Sequence, residues 1–233
     1  MRSERYQIAL IILGLIATIF FGVFFYRELY PEYRIYQNDY KALEQFRSTY
    51  TGEPPPSFRE GVKQIVFERE DKGPPLIDRC TSCHVALQLP HFSPFQIAHD
   101  SNGNVIRDKN GTPVQETNKN FIWSKLDQKI AELRDEKVIQ QLNEEGESSK
   151  VAARLKEAKE LESLKSAHVG EHTYDVTKVL AMHPLIGKET RPFEFHPIDE
   201  YGCTSCHSGN GKGLTTEKAH GPVFDGDYET EYM

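Results

Sequence analysis

The chain has 233 residues, a formal net charge of −7 and 38% hydrophobic residues. Its lysines and arginines are spread along the chain, which excludes the basic stripe that nucleic-acid binding requires. Beyond an apolar N-terminal run there remain roughly 200 residues, enough to bury a core of their own.

That run is the first element. From Gln7 to Tyr26 the chain reads QIALIILGLIATIFFGVFFY, without a charged residue, between Arg5 and Arg27. About 20 apolar residues cross a hydrocarbon core as a helix. A cleaved signal peptide has a shorter apolar stretch that ends in small residues, whereas this one ends in aromatic ones. The sequence therefore predicts an uncleaved transmembrane anchor over residues 1–28. Arg2, Arg5 and the terminal amine flank one end, and Glu28 and Glu32 follow Arg27 at the other. The positive-inside bias then predicts a cytoplasmic N-terminus in a single-pass protein of the cytoplasmic membrane, with the remainder on the periplasmic side.

Residues 29–59 read as a juxtamembrane helix and a Pro-rich linker. Two readings of the helix stand: Tyr30, Tyr33, Tyr36 and Tyr40 sit at headgroup level, or the helix is amphipathic and packs on the domain. TGEPPPS, at 51–57, then acts as a stiff spacer. Residues 60–120 hold a strand-like QIVF and two Asn-Gly pairs, 102–103 and 110–111, which predict a small β-hairpin or meander. Asp100, Asn102 and Asn104 lack the glycine and glutamate of a calcium loop at the required places, so they read as a turn.

Residues 121–167 change character. Ile122, Leu126, Ile130 and Leu133 share one helical face, NEEGESS interrupts, and Val151, Leu155, Leu161 and Leu164 resume the pattern. The prediction is an inserted antiparallel helical hairpin with arms of roughly 30 Å. It either packs as a structural arm over the domain or offers a docking surface to a partner subunit. Residues 168–233 complete the chain and end in the acidic tail DGDYETEYM, which either steers a basic carrier or is a solvated terminus.

The pentapeptide CTSCH occurs at 80–84 and again at 203–207, and the two copies hold all four cysteines. A Cys-x-x-Cys pair can close a redox disulfide, supply half a zinc site or present two thiols to haem vinyl groups. No βαβ pattern surrounds either copy, which disfavours a thioredoxin-like pair. A zinc site built from the four cysteines leaves the two following histidines unexplained. Haem attachment uses every residue: Cys80, Cys83, Cys203 and Cys206 as thioethers of two covalently bound haem c groups, His84 and His207 as proximal ligands.

Two such irons offer two further axial positions. The other histidines are His91, His99, His168, His172, His183, His196 and His220. His183 and His196 each precede a proline, which keeps them out of helices and suits rigid ligand-bearing loops. His196 lies only seven residues before Cys203 and would have to fold back sharply to reach its own haem. The candidate distal ligands are therefore His196 or His183 for the first haem, and His220 or His183 for the second. Met182 is a weaker alternative ligand, with core filling as its plainer reading. His91 and His99 are weaker candidates, and His168 and His172 read as surface residues at the end of the hairpin. The elements together predict a mainly α chain with much irregular structure: a transmembrane helix, a small dihaem domain, an inserted helical hairpin and a small β-hairpin.

The stretches GVKQIVFERE…IDRCTSCHVAL and HP…HPIDEYGCTSCHSGNGKG…AHG resemble a family of membrane-anchored dihaem and multihaem c-type cytochromes. Its members accompany bacterial quinol-oxidising complexes of the cytochrome b/Rieske type or other respiratory assemblies. The resemblance covers roughly residues 60–99 and 180–223 and leaves out the helical hairpin. It implies low-spin haems that pass electrons. The expected function is an electron-transfer subunit of a respiratory or photosynthetic quinol-oxidising complex, without catalytic residues of its own. Its expected partners are an integral membrane complex, a soluble electron carrier and the lipid bilayer. Two other classes stay open: a dihaem peroxidase or reductase with one open iron, and a mainly structural haem subunit.

Overall fold

In the computed structural model, which describes residues 2–68, 72–169, 171–186, 192–207 and 209–220, about half of the chain is helical. The first helix, α1 (Arg2–Leu29), contains the 22-residue span Arg5–Tyr26, none of it buried against the rest of the protein. A helix that is apolar on every side has no face to turn toward water. This one is long and apolar enough to cross a membrane.

The chain turns at Tyr30–Glu32 and enters α2 (Tyr33–Thr51), which ends at Gly52 in the left-handed conformation, its N–H donating to Ser48 O at 3.0 Å. Tyr33, Tyr36, Tyr40 and Leu43 are buried and Tyr30 is exposed. Three of the four tyrosines thus face the protein, which selects the packing helix over the headgroup collar. Their spacing of three to four residues makes that face continuous. Against it lie Phe92, Ile122, Trp123, Leu126, Val176 and Leu180, forming one hydrophobic core.

The predicted helical hairpin is three helices, not two arms. α3 (Ile122–Leu133) stops after 12 residues, about 18 Å. Asp135 then accepts from Lys137 N and Val138 N and caps α4 (Glu136–Glu144). After a turn at Gly146, α5 (Ser148–Ser163) returns. α3 is no detached arm: its Ile122, Trp123, Leu126 and Ile130 belong to the core, so its charge covers one face only. α5 buries Ala158 and is held to the end of α3 by Arg134 and Glu162 at 2.6 Å.

Three two-stranded antiparallel sheets complete the framework. β1 (Ile65–Phe67) pairs with β2 (Leu76–Asp78), Ile65 opposite Asp78. β3 (Phe95–Ile97) pairs with β4 (Gln115–Thr117), and both expected Asn-Gly turns lie between them. In those turns Asp100 accepts from Asn102 N and Asn104 N, and Asp108 from Asn110 N and Thr112 N. Asp100 therefore serves its own backbone. The third hairpin, β5 (Ser166–Val169) with β6 (His172–Asp175), has no counterpart in the sequence reading. Short helices α6 (Val176–Val179), α7 (Pro192–Phe195), α8 (Ile198–Tyr201) and α9 (Thr216–His220) follow, and the acidic tail lies outside the described residues.

Candidate functional site

Both CTSCH segments are tied to one side chain, Asp78, the fully buried last residue of β2. Its Oδ1 accepts from Cys80 N at 3.0 Å. Its Oδ2 accepts from Cys203 N at 2.7 Å, Thr204 N at 2.8 Å and Thr204 Oγ1 at 3.0 Å. Burial alone would raise this carboxyl, but these bonds outweigh it and hold it below its ordinary value. The two copies adopt the same tight turn. Cys83 N and His84 N donate to Cys80 O at 3.1 and 3.0 Å, and Cys206 N and His207 N donate to Cys203 O at 3.1 and 2.9 Å. Asp78 caps both turns at once.

Glycines let the segments approach so closely. Gly202 has φ 67°, and a Cβ there would lie 2.8 Å from Asp78 Oδ2. A Cβ on Gly211 would meet Ile77 O at 2.4 Å, while Arg79 N donates to Gly211 O at 2.8 Å. The strand that leads into the first motif is thus walled by the chain that leaves the second.

The thiols of Cys80 and Cys203 lie beside each other, and with Asp78 they form the one group of three metal-capable donors among the described residues, all within 4.8 Å. Cys80 is driven up first by the neighbouring Cys203 thiol, then by burial and by the Asp78 carboxylate. Burial, with Glu32, pushes Cys83 up to about 12. Cys83 packs against the core and Cys206 is exposed, neither of them in that group. A tetrahedral four-sulfur zinc site needs all four sulfurs to converge, and they do not.

The imidazoles do converge, in two pairs. His84 and His220 have ring centroids 6.0 Å apart with planes at 88°. His183 and His207 have centroids 5.9 Å apart at 66°. A metal ion bound on opposite sides by two imidazole nitrogens, each about 2 Å away, places the ring centroids about 6 Å apart. Each pair is an edge-to-face ring contact whose centroid separation falls near that value.

Hydrogen bonds set the tautomers. His84 Nδ1 donates to Val179 O at 3.1 Å, and His220 Nδ1 donates to Thr216 O at 3.1 Å, so in both rings the lone pair sits on Nε2. Burial, with His220 next, pushes His84 down to about 4, which keeps it in the neutral form that binds metal. His183 is likewise lowered, by burial and then by His207. Its Nδ1, however, accepts from Leu185 N at 3.2 Å, the opposite polarity to the other two. Leu87 O fixes its backbone, accepting from His183 N at 2.9 Å.

Of the sequence candidates, His183 faces the second motif. His220 faces His84 of the first motif, not the second motif expected for it. The chain from Gly209 to His220 doubles back, Asn210 N donating to Ala219 O at 2.8 Å, and so reaches across β2 to the other site. His196 is exposed and stacks edge-on with Tyr201 at 4.9 Å, paired with neither motif histidine. Met182 packs against the core, its N–H donating to Phe92 O at 3.2 Å. His91 Nε2 lies 2.5 Å from Glu44 Oε1, His99 bridges to Val105, and His168 and His172 are exposed on the third hairpin.

Sequence reasoning missed Asp78 as the shared cap. The signal was present at one copy only, as Asp two residues before Cys80, the spacing of an Asx turn. Scans against family models, curated proteins and solved structures return no match to this chain.

Proposed function

We propose that the chain is a membrane-anchored dihaem c-type cytochrome, the electron-transfer subunit of a quinol-oxidising membrane complex, delivering electrons to a periplasmic carrier or terminal enzyme. One observation carries the reading: each CTSCH histidine faces a second histidine at the separation of a bis-imidazole iron. Cys80 and Cys83 would hold the first haem, with His84 and His220 as the histidines that would bind its iron. Cys203 and Cys206 would hold the second, with His207 and His183. The haems supply one-electron chemistry when bound. The protein sets ligand identity and tautomer through Val179 O and Thr216 O, and Asp78 fixes one motif against the other. The helix α1 would serve as the anchor, with its N-terminus in the cytoplasm.

A second reading, an enzyme with one open iron, draws on His183. A ring that gives Nε2 to iron carries its proton on Nδ1, so ligation must break the Leu185 N–H contact. The test is the reduced optical spectrum of the full-length protein, with and without carbon monoxide. The expected result is two covalently bound haems and no shift. A shift in half of the haem moves the function to the enzyme class, and a preparation without covalent haem overturns both readings.

A further inference from the structure

Apart from the imidazole pairs, the structure holds a cavity of about 800 Å³ where α1 meets the rest of the protein. Phe24 and Tyr26, from the end of the apolar span, and Tyr30 from the corner form one side. A molecule dissolved in a bilayer crossed by α1 reaches that side without passing through water. The rest of the lining mixes Val62, Val169 and Leu214 with polar groups: Glu32, Glu171 and Glu217, His172, Tyr174 and Lys218, the one lysine or arginine among the described lining residues. Tyr174 is raised by burial and then by Glu32 and Glu217, which places both carboxylates in the field of its hydroxyl.

Charge decides between bilayer molecules. Three carboxylates against one ammonium repel a lipid phosphate. They accept hydrogen bonds from a neutral ring that carries hydroxyl groups, while the aromatic side takes the ring face and an apolar tail. The cavity also touches the first imidazole pair through one short element. Glu32 Oε1 accepts from Thr216 N at 2.8 Å and from the Thr216 hydroxyl, and His220 lies on the same helix, α9.

We propose that this cavity binds a bilayer-soluble hydroquinone, with its ring against Phe24, Tyr26 and Tyr30 and its hydroxyls donating to Glu217 and His172. The electron-transfer reading gives this binding its purpose, since it sets a reductant beside the first centre. Binding itself needs no haem.

The experiment uses the full-length chain in phosphatidylcholine nanodiscs, photolabelled with an azido-ubiquinol held reduced under anaerobic conditions and mapped by peptide mass spectrometry, with covalent haem measured on the same sample. Labels are expected within 24–33 or 171–174, displaced by excess decylubiquinol. His172→Ala and Glu217→Gln, both at exposed positions, are each expected to raise half-saturation about tenfold, or 1.4 kcal/mol. Labelling elsewhere, or unchanged half-saturation in both variants, overturns the proposal. Displacement by phosphatidylethanolamine at equal concentration overturns it too, and makes the cavity a headgroup seat. Haem present without quinone binding sinks this proposal alone; quinone binding without haem sinks the electron-transfer reading and leaves the cavity assignment standing.

Discussion

Asp78→Asn and Asp78→Ala separate a shared cap from an incidental carboxylate. Asn keeps the size of the side chain and one carbonyl oxygen. With that oxygen at the Oδ2 position it still accepts from Cys203 N, Thr204 N and Thr204 Oγ1, but its amide nitrogen then faces Cys80 N–H, donor to donor. A lost hydrogen bond to a buried charge is worth about 1.5–3 kcal/mol, so the expected cost is about 2–3 kcal/mol. Ala strands three backbone N–H groups and one hydroxyl, and the expected cost rises to about 4–6 kcal/mol even if water recovers some of them. Since domains are stable by about 5–15 kcal/mol, Ala should leave the protein close to unfolding. The assay is urea unfolding of the full-length chain in detergent, followed by the fluorescence of Trp123, the sole tryptophan, only 6% exposed in the core. Thr204→Val should cost about 1 kcal/mol in the native background and close to nothing on top of Asp78→Ala. An Asn variant within about 0.5 kcal/mol of the native protein, or an Ala variant no worse than Asn, refutes the shared cap.

Gly211→Ala places a Cβ 2.4 Å from Ile77 O, so the two segments must part and stability should fall by about 1–3 kcal/mol in the same assay; no change would mean that the wall between the motifs is loose. Glu44 is 2% exposed and sits between Arg47 at 2.8 Å and His91 at 2.5 Å. Burial raises its carboxyl, yet the bonds from His91 and Arg47 prevail and its pKa lies below the ordinary 4.5. A depressed folded pKa gives stability that is complete above 4.5 and lost as pH falls through the folded value. Glu44→Gln should therefore cost about 2 kcal/mol near neutrality and flatten the acid limb of the stability–pH curve; an acid limb identical to the native one would exclude Glu44 as its source.

The local signals were legible wherever one stretch of chain decides its own structure. The run Gln7–Tyr26, the Asn-Gly turns and the apolar face of α3 each declare themselves within a window of a few turns, whereas the tyrosines of α2 fitted a headgroup collar as well as a packing face. The break between α3 and α4 was also written in place, as Asp135 ahead of Glu136 and Lys137, but a continuing apolar pattern masked it. The third hairpin escaped because its strands are four residues each, too short for alternation to stand out. What could not be read locally is which histidine meets which motif. That depends on the close approach of Gly211 to Ile77, a contact between segments more than a hundred residues apart. The double duty of Asp78 is non-local in the same way: one of its partners is two residues on, and the other is 125 residues on.

The corner between α1 and α2 is three residues long, Tyr30 to Glu32, and Glu32 is bonded across it to Thr216 near the far end of the described chain. There is no slack in that joint. The rest of the protein is joined to α1 by that three-residue corner and by the Glu32–Thr216 bond across it. With α1 in a bilayer, the two imidazole pairs would be held at one height above it, and under the electron-transfer function proposed above a carrier would have to come to them. Lengthening the corner, by inserting a few glycines after Tyr30, would under that proposed function turn a fixed relay into a mobile one.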